Sequence, residues 1–220
     1  MPFDFRLSHQ VGTLFRMTLQ MMLTLMLASL ATTAYSASKT IVVLGDSLSA
    51  EYGLERGRGW VNLLQQKLAT EKIDAHIVNA SISGETTSGG RSRLPTLLTK
   101  HKPDVVIIEL GANDALRGLS LSATQDNLQA MIKNAKDAKA KVLIIGMQIP
   151  PNYGGDYTRQ FSALFPKVAK DSGSALVPFM LKGVAEKSEL FQADRIHPNE
   201  NAHPIILNNI WPALEPLIAK

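Results

Sequence analysis

Three apolar runs rich in β-branched residues, at positions 40–44 (Thr-Ile-Val-Val-Leu), 105–108 (Val-Val-Ile-Ile) and 142–145 (Val-Leu-Ile-Ile), show no polar alternation. A strand that is apolar on both sides must be covered on both faces, which is the condition of a parallel sheet sandwiched between helices. Weaker runs at 75–78 and 175–177 bring the expected strands to five. Helical stripes lie between them. Trp60, Leu64 and Leu68 share one face, as do Leu128, Met131, Ile132 and Ala135, and then Phe161, Leu164, Phe165 and Val168. Ser122 with Gln125 reads as the capping box of the second of these helices. Pro166 is expected to kink the third, and Pro212 to bend or break a last helix that runs from Asn201 with Pro204 near its first turn. Strands alternating with helices at this spacing imply right-handed crossovers and an α/β fold, a three-layer α/β/α domain. The expected sheet is flavodoxin-like, with strand order 2-1-3-4-5, and its ligands bind beyond the carboxyl ends of the strands, near the reversal between the first and third.

Residues 1–36 read as a removable export signal. Arg6 and Arg16 precede the apolar stretch 21–28, and Ala34-Tyr35-Ser36 places small residues at the cleavage-determining positions. The stretch is shorter than the roughly 20 residues a membrane-spanning helix needs, so no stable membrane anchor is expected after cleavage. A periplasmic or secreted protein follows, with its domain at 37–220, and it is expected to be a monomer. About 184 residues remain, enough for one domain with its own core. The chain has no cysteine, which excludes a thiol nucleophile and a Cys-ligated zinc. The leader carries Arg6, Arg16 and Asp4, so its removal lowers the formal charge only from +4 to +3, too small a surplus to suggest nucleic-acid binding. No cluster has metal-ligand spacing, no glycine-rich loop has the form that cradles a nucleotide, and no cofactor is expected.

The sheet supplies a test for the chemistry, because catalytic motifs should all follow strand ends. Ser47, in Gly45-Asp46-Ser47-Leu48-Ser49, follows the first strand, and Gly84 follows the second. Asn113, in Gly111-Ala112-Asn113-Asp114, follows the third, while Asp194 and His197 follow the fifth. A serine hydroxyl needs a base to take its proton, and the base needs a third group to fix its tautomer. Asp194 and His197, three residues apart, suit those last two roles. Gly84 through its backbone N–H, Asn113 through its amide and the Ser47 N–H are candidate donors to a developing oxyanion. Taken singly, each has a plain structural reading: Ser47 as a cap, Gly84 as a turn glycine, Asn113 as an Asx turn and His197 as a loop residue. Their convergence on one rim favours catalysis. Asp46 reads as a support for the serine loop. Glu109, at the end of the third strand, reads as structural and in need of hydrogen bonds or a cation such as Arg117. His76, His101 and His203 lack an Asp-x-x-His partner.

The blocks around Ser47, Gly84, Asn113 and His197 resemble those of the SGNH, or GDSL, hydrolase superfamily, over essentially the whole of the expected mature chain. The loops at 111–118 and 149–154 are similar to those of its exported thioesterases, lysophospholipases and arylesterases. The resemblance implies a serine esterase acting on small-molecule acyl esters or thioesters, with Leu116, Ile149 and Pro150 as apolar walls for the acyl chain. Two positions depart from the family pattern. Glu51 replaces a small residue and is expected to add negative charge beside the site, disfavouring anionic substrates, and Arg195 replaces a glycine between acid and base. A carbohydrate deacetylase on the same triad, with a shallow polar site, and an inert exported binding module are the competing expectations.

Overall fold

The structure, a computed structural model, describes residues 38–219 together with Gln20. The remainder of the expected export signal therefore lies outside the described residues. Five parallel strands form one sheet in the order β2-β1-β3-β4-β5. They are β1 (Lys39–Gly45), β2 (Ala75–Asn79), β3 (Val105–Glu109), β4 (Lys141–Ile145) and β5 (Ala175–Val177). The three expected runs are the three central strands, and their burial explains their composition. Ile41, Val42, Val43 and Leu44 are wholly inaccessible, as are Val105 to Ile108. The β1–β3 register pairs Ile41 with Val105 and ends with Gly45 opposite Glu109.

Six α-helices complete the layers among the described residues: α1 (Trp60–Thr70), α2 (Thr87–His101), α3 (Ala112–Leu116), α4 (Leu121–Asp137), α5 (Gly155–Ser172) and α6 (His203–Ile218). Helix α1 packs on α6, while α4 packs between α2 and α5. The apolar stripes face inward as their spacing requires: Trp60, Leu64 and Leu68 are inaccessible, and Phe161 meets Phe165 edge to face at 5.2 Å between centroids. No helix among the described residues is long and apolar enough to cross a membrane.

Two local expectations are corrected. Helix α4 is capped by Ser120, whose Oγ accepts from Ala123 N–H, two residues before the expected Ser122. Ser122 instead exchanges a hydrogen bond with the Ser120 hydroxyl. Nor does Pro212 break its helix, since α6 runs through it, just as α5 continues through Pro166. Both prolines lie on exposed faces, where the carbonyl released by the missing N–H is open to water while the buried stripe holds the helix in place.

Helix α1 begins without a side-chain cap from its own N-cap residue, Gly59. Its first N–H is taken instead by a distant side chain: Trp60 N–H donates to Nδ1 of the buried His203, at 3.0 Å. Burial depresses the His203 imidazole to about 4, against the opposing effects of Glu51 and of a hydrogen bond to the Pro198 carbonyl. Nδ1 can accept only when it carries no proton, so the ring is neutral in the folded chain. Because the folded value lies below the ordinary 6.5, the unfolded chain protonates first. Stability from this group is full above pH 6.5 and falls by on the order of 3 kcal/mol as pH drops to about 4. Thermal melts across that window should show a steeper loss for the wild type than for His203→Gln, the difference cancelling what other groups contribute to both proteins. Parallel curves would remove His203 from the acid response.

Candidate active site

Strand β1 ends at Gly45, and the chain turns at once. Ser49 and Ala50 N–H groups donate to the Asp46 carbonyl, at 3.2 and 3.0 Å, and Tyr52 N–H donates to the Ser47 carbonyl at 3.3 Å. The turn lifts Ser47 to a half-buried position at the carboxyl end of the sheet. A side chain on Gly45 would place its Cβ 2.7 Å from Ser49 Oγ and 2.8 Å from Glu109 Oε2, so only glycine lets β1 and β3 close here.

The loop between β5 and α6 supplies the other half. Asp194 Oδ1 accepts from the N–H groups of Ile196 and His197, at 2.9 and 3.0 Å, so the carboxylate fixes the turn on which His197 stands. Asp194 Oδ2 lies 2.6 Å from His197 Nδ1, and His197 Nε2 lies 3.0 Å from Ser47 Oγ. A carboxylate accepts only, so Nδ1 bears the proton and the bare Nε2 accepts from the serine hydroxyl. The His197 backbone N–H above all, together with the His197 imidazole and the Ile196 N–H, holds the Asp194 carboxyl down to about 2 against the opposing effect of burial. Asp194 is therefore charged whenever the site can work. Tyr52 stacks on His197 with centroids 4.4 Å apart, and Gln192 Nε2 bonds the Tyr52 and Pro198 carbonyls, at 2.8 and 3.0 Å. Neither Tyr52 nor Gln192 could be picked from the sequence, because each acts through backbone or ring packing and carries no motif.

The expected oxyanion donors gather at the same end. Asn113, in the first turn of α3, donates through Nδ2 to Asp46 Oδ2 and to the Glu85 carbonyl, both at 3.0 Å. Its two amide hydrogens are thus both engaged. Gly84 precedes Glu85 and adopts a φ of 77°, a conformation open to glycine at no steric cost. Arg117 Nη2 holds the Gly84 carbonyl at 2.8 Å. Among the described residues, neither the Ser47 nor the Gly84 backbone N–H meets a protein acceptor. A cavity of about 870 Å³ opens from Ser47 and His197, and Leu116, Ile149 and Pro150 are all on its wall. Met147, Phe179, Leu181 and Phe191 add apolar surface that sequence reading did not assign. Gly84 is not part of that wall.

Asp46 and Glu109 lie buried beneath the turn. Asp46 Oδ1 accepts from Leu48 N–H at 3.0 Å, in keeping with its expected support of the serine loop. Burial pushes its carboxyl up to about 6, opposed by that N–H, by Glu109, by His197 and by Asn113. Burial and the Asp46 charge raise Glu109 well above the ordinary carboxylate range, while Ser49 and the Asp46 N–H oppose the rise. Arg117, occupied at Gly84, is not its partner. Glu51 is corrected as well: its carboxylate turns away from the cavity to accept from Gly57 and Gly59 N–H groups and Asn62 Nδ2. Glu51 and Arg195 both have positive φ, 59° and 58°, in the left-handed region that favours glycine. Arg195 lies on the cavity wall, exposed.

A serine, an unprotonated imidazole and a charged aspartate in hydrogen-bonded series, at the carboxyl edge of a parallel sheet and beside an apolar cavity, define a serine-type acyl hydrolase. Residues 43–205 match the GDSL-like Lipase/Acylhydrolase family, and the chain belongs to that family. It is 49% identical to Esterase TesA of Pseudomonas aeruginosa over 192 residues, covering 87% of this chain and 96% of that one. Thioesterase 1/protease 1/lysophospholipase L1 of Escherichia coli K12 is 40% identical over 183 residues, covering 83% and 86%. A crystal structure of TesA superimposes with a TM-score of 0.80 at 50% identity, covering 81% of this chain and 99% of that one. The chain is a carboxylic ester hydrolase of the SGNH type.

Replacing Glu51 by Ala unhooks the loop before α1 from three of its donors. The expected cost is about 1–3 kcal/mol, a fall in Tm of several degrees, with the ratio of rates on anionic and neutral esters unchanged. A selective gain on anionic esters would restore Glu51 to the site.

Proposed function

We propose that the enzyme cleaves acyl esters and thioesters through a covalent acyl-enzyme on Ser47. The reading rests above all on the continuous path from Asp194 through His197 to Ser47 Oγ, with links of 2.6 and 3.0 Å. Ser47 Oγ attacks the acyl carbonyl as its proton passes to His197 Nε2, and Asp194 stabilises the imidazolium. The carbonyl oxygen takes the negative charge. Ser47 and Gly84 N–H groups, with no protein acceptor of their own, receive it. The Asn113 amide joins them by exchanging the Glu85 carbonyl for the oxyanion. His197 then gives its proton to the departing alcohol or thiol. In the second half, His197 takes a proton from water as the resulting hydroxide attacks the acyl carbonyl. On collapse His197 returns that proton to the departing Ser47 Oγ, so that the acid is released and the serine and neutral imidazole are restored.

The cavity supports medium or long acyl chains as substrates, with Leu116, Ile149 and Pro150 among its walls. A deacetylase acting on polysaccharide calls for a shallow polar site instead. The export reading of residues 1–36 places the enzyme in the periplasm or medium, away from cytoplasmic acyl-CoA. Lysophospholipids and exogenous esters are then its natural substrates, met as a monomer.

Ser47→Ala should keep the wild-type Tm and lose several powers of ten in kcat. With the wild type, rates across p-nitrophenyl esters should rise from acetate to octanoate, and a lysophospholipid and an acyl thioester should both be cleaved. Near-full activity of the variant overturns the nucleophile, and a strong preference for acetate overturns the acyl-chain reading.

A further inference from the structure

Behind the nucleophile lie two carboxyl groups that the proton relay does not use. Asp46 and Glu109 are 1% and 2% exposed and adjoin each other, the Asp46 N–H donating to Glu109 Oε2 at 3.3 Å, with no cation paired to either among the described residues. Two adjacent buried carboxyls cannot both ionise at neutral pH, so the pair holds a proton. Hydrogen-bond accounting says where it sits. Both Asp46 oxygens already accept, Oδ1 from Leu48 N–H and Oδ2 from Asn113 Nδ2. Glu109 Oε2 accepts from the Ser49 hydroxyl at 2.7 Å and from Asp46 N–H at 3.3 Å, and the Ser49 hydroxyl in turn accepts from Trp60 Nε1. Glu109 Oε1, in contrast, accepts from no donor among the described residues, which makes it the oxygen free to carry the proton.

We propose that Glu109 is a positioning residue that keeps its proton and donates it to Asp46, so that one charged carboxylate holds both the Ser47 turn and the Asn113 amide. The proposal rests on the oxyanion role of Asn113 in the reading above. Its physical logic is electrostatic. Asp46 stands behind the oxyanion site, where a negative charge opposes the charge that develops in the transition state. The Glu109 proton disperses that charge while leaving Asp46 able to accept from both its donors. Loss of the proton would put a second negative charge in the same dry space and weaken every step that builds an oxyanion. The charged and titratable groups acting on the pair are each other and His197. From α1 the pair receives only the neutral Trp60 indole, through Ser49.

Glu109→Gln tests this, because the amide offers the same oxygen acceptor and an N–H donor in place of O–H. Glu109→Ala removes both. The Gln variant should hold kcat within about threefold of wild type at pH 7, while the Ala variant loses tenfold or more in kcat with KM little changed. Glu109 binds its proton more tightly folded than unfolded, so the wild type loses stability as pH rises above the ordinary 4.5 toward the folded value. The Tm of Glu109→Gln minus that of wild type should therefore grow between pH 5 and pH 9. The infrared difference between wild type and Glu109→Gln should also contain the C=O stretch of a protonated carboxyl. Both of these measurements can be made in a Ser47→Ala background, where they are independent of turnover and hence of the nucleophile. An absent carboxyl band, or a Tm difference that does not change with pH, overturns the protonated Glu109. A kcat loss in the Gln variant as large as that in the Ala variant overturns its action through the hydrogen bond, and if Ala fails to fold, Gln against wild type decides.

Discussion

The hydrogen bond between Ser47 and His197 joins residues 150 positions apart, and the chemistry of the molecule depends on its being made. Neither partner could be held there by local structure alone. Ser47 is carried by the end of the central strand β1, which is paired on both sides and immobile in the core. His197 stands on an irregular loop, and that loop is fixed by polar contacts instead of apolar burial. Asp194 ties two backbone N–H groups and the imidazole, Gln192 ties Tyr52 and Pro198, and the His197 carbonyl accepts from Gln192 N–H. Such a loop keeps its geometry through directional bonds, which suits a base that must face one oxygen to within a few tenths of an ångström.

Charge is arranged with equal economy. Asp194, near solvent and bonded by N–H groups, stays ionised far into acid, whereas Asp46 and Glu109, buried together, are driven toward their protonated forms. Under the proposed mechanism the same side-chain chemistry gives a charged carboxylate behind the base and a proton-sharing pair behind the oxyanion site. Environment makes the difference, since only the first is surrounded by several donors near water. The start of α6 adds a fourth titratable group, His203, held neutral because its Nδ1 accepts from the first N–H of α1.

Most of this was legible in the chain because it follows from period and position. Three unbroken apolar runs read as doubly covered strands, and alternation with helices made the order 2-1-3-4-5 the expected one, which is the order found. Once the strands were placed, Ser47, Asn113, Asp194 and His197 all fell at one edge. What escaped depends on where side chains point. Glu51 looked like a charge beside the site, yet a positive φ turns its carboxylate into the loop before α1. Arg117 looked like a counter-ion for Glu109, but its guanidinium reaches the Gly84 carbonyl. Pro212 in α6 looked like a bend or a break, yet on an exposed face the helix runs through it. His203, discounted for want of an aspartate partner, proved to serve a backbone N–H, an interaction with no sequence period at all.

The central claim is that this arrangement makes Ser47, among all the serines of the chain, a nucleophile. Covalent labelling tests it most directly: the folded protein is treated with a fluorophosphonate, digested, and the modified peptide located by mass spectrometry. The account predicts one adduct per chain, on Ser47, lost when His197 is replaced by Ala. An unmodified Ser47, or an adduct on another residue of the folded protein, would contradict it.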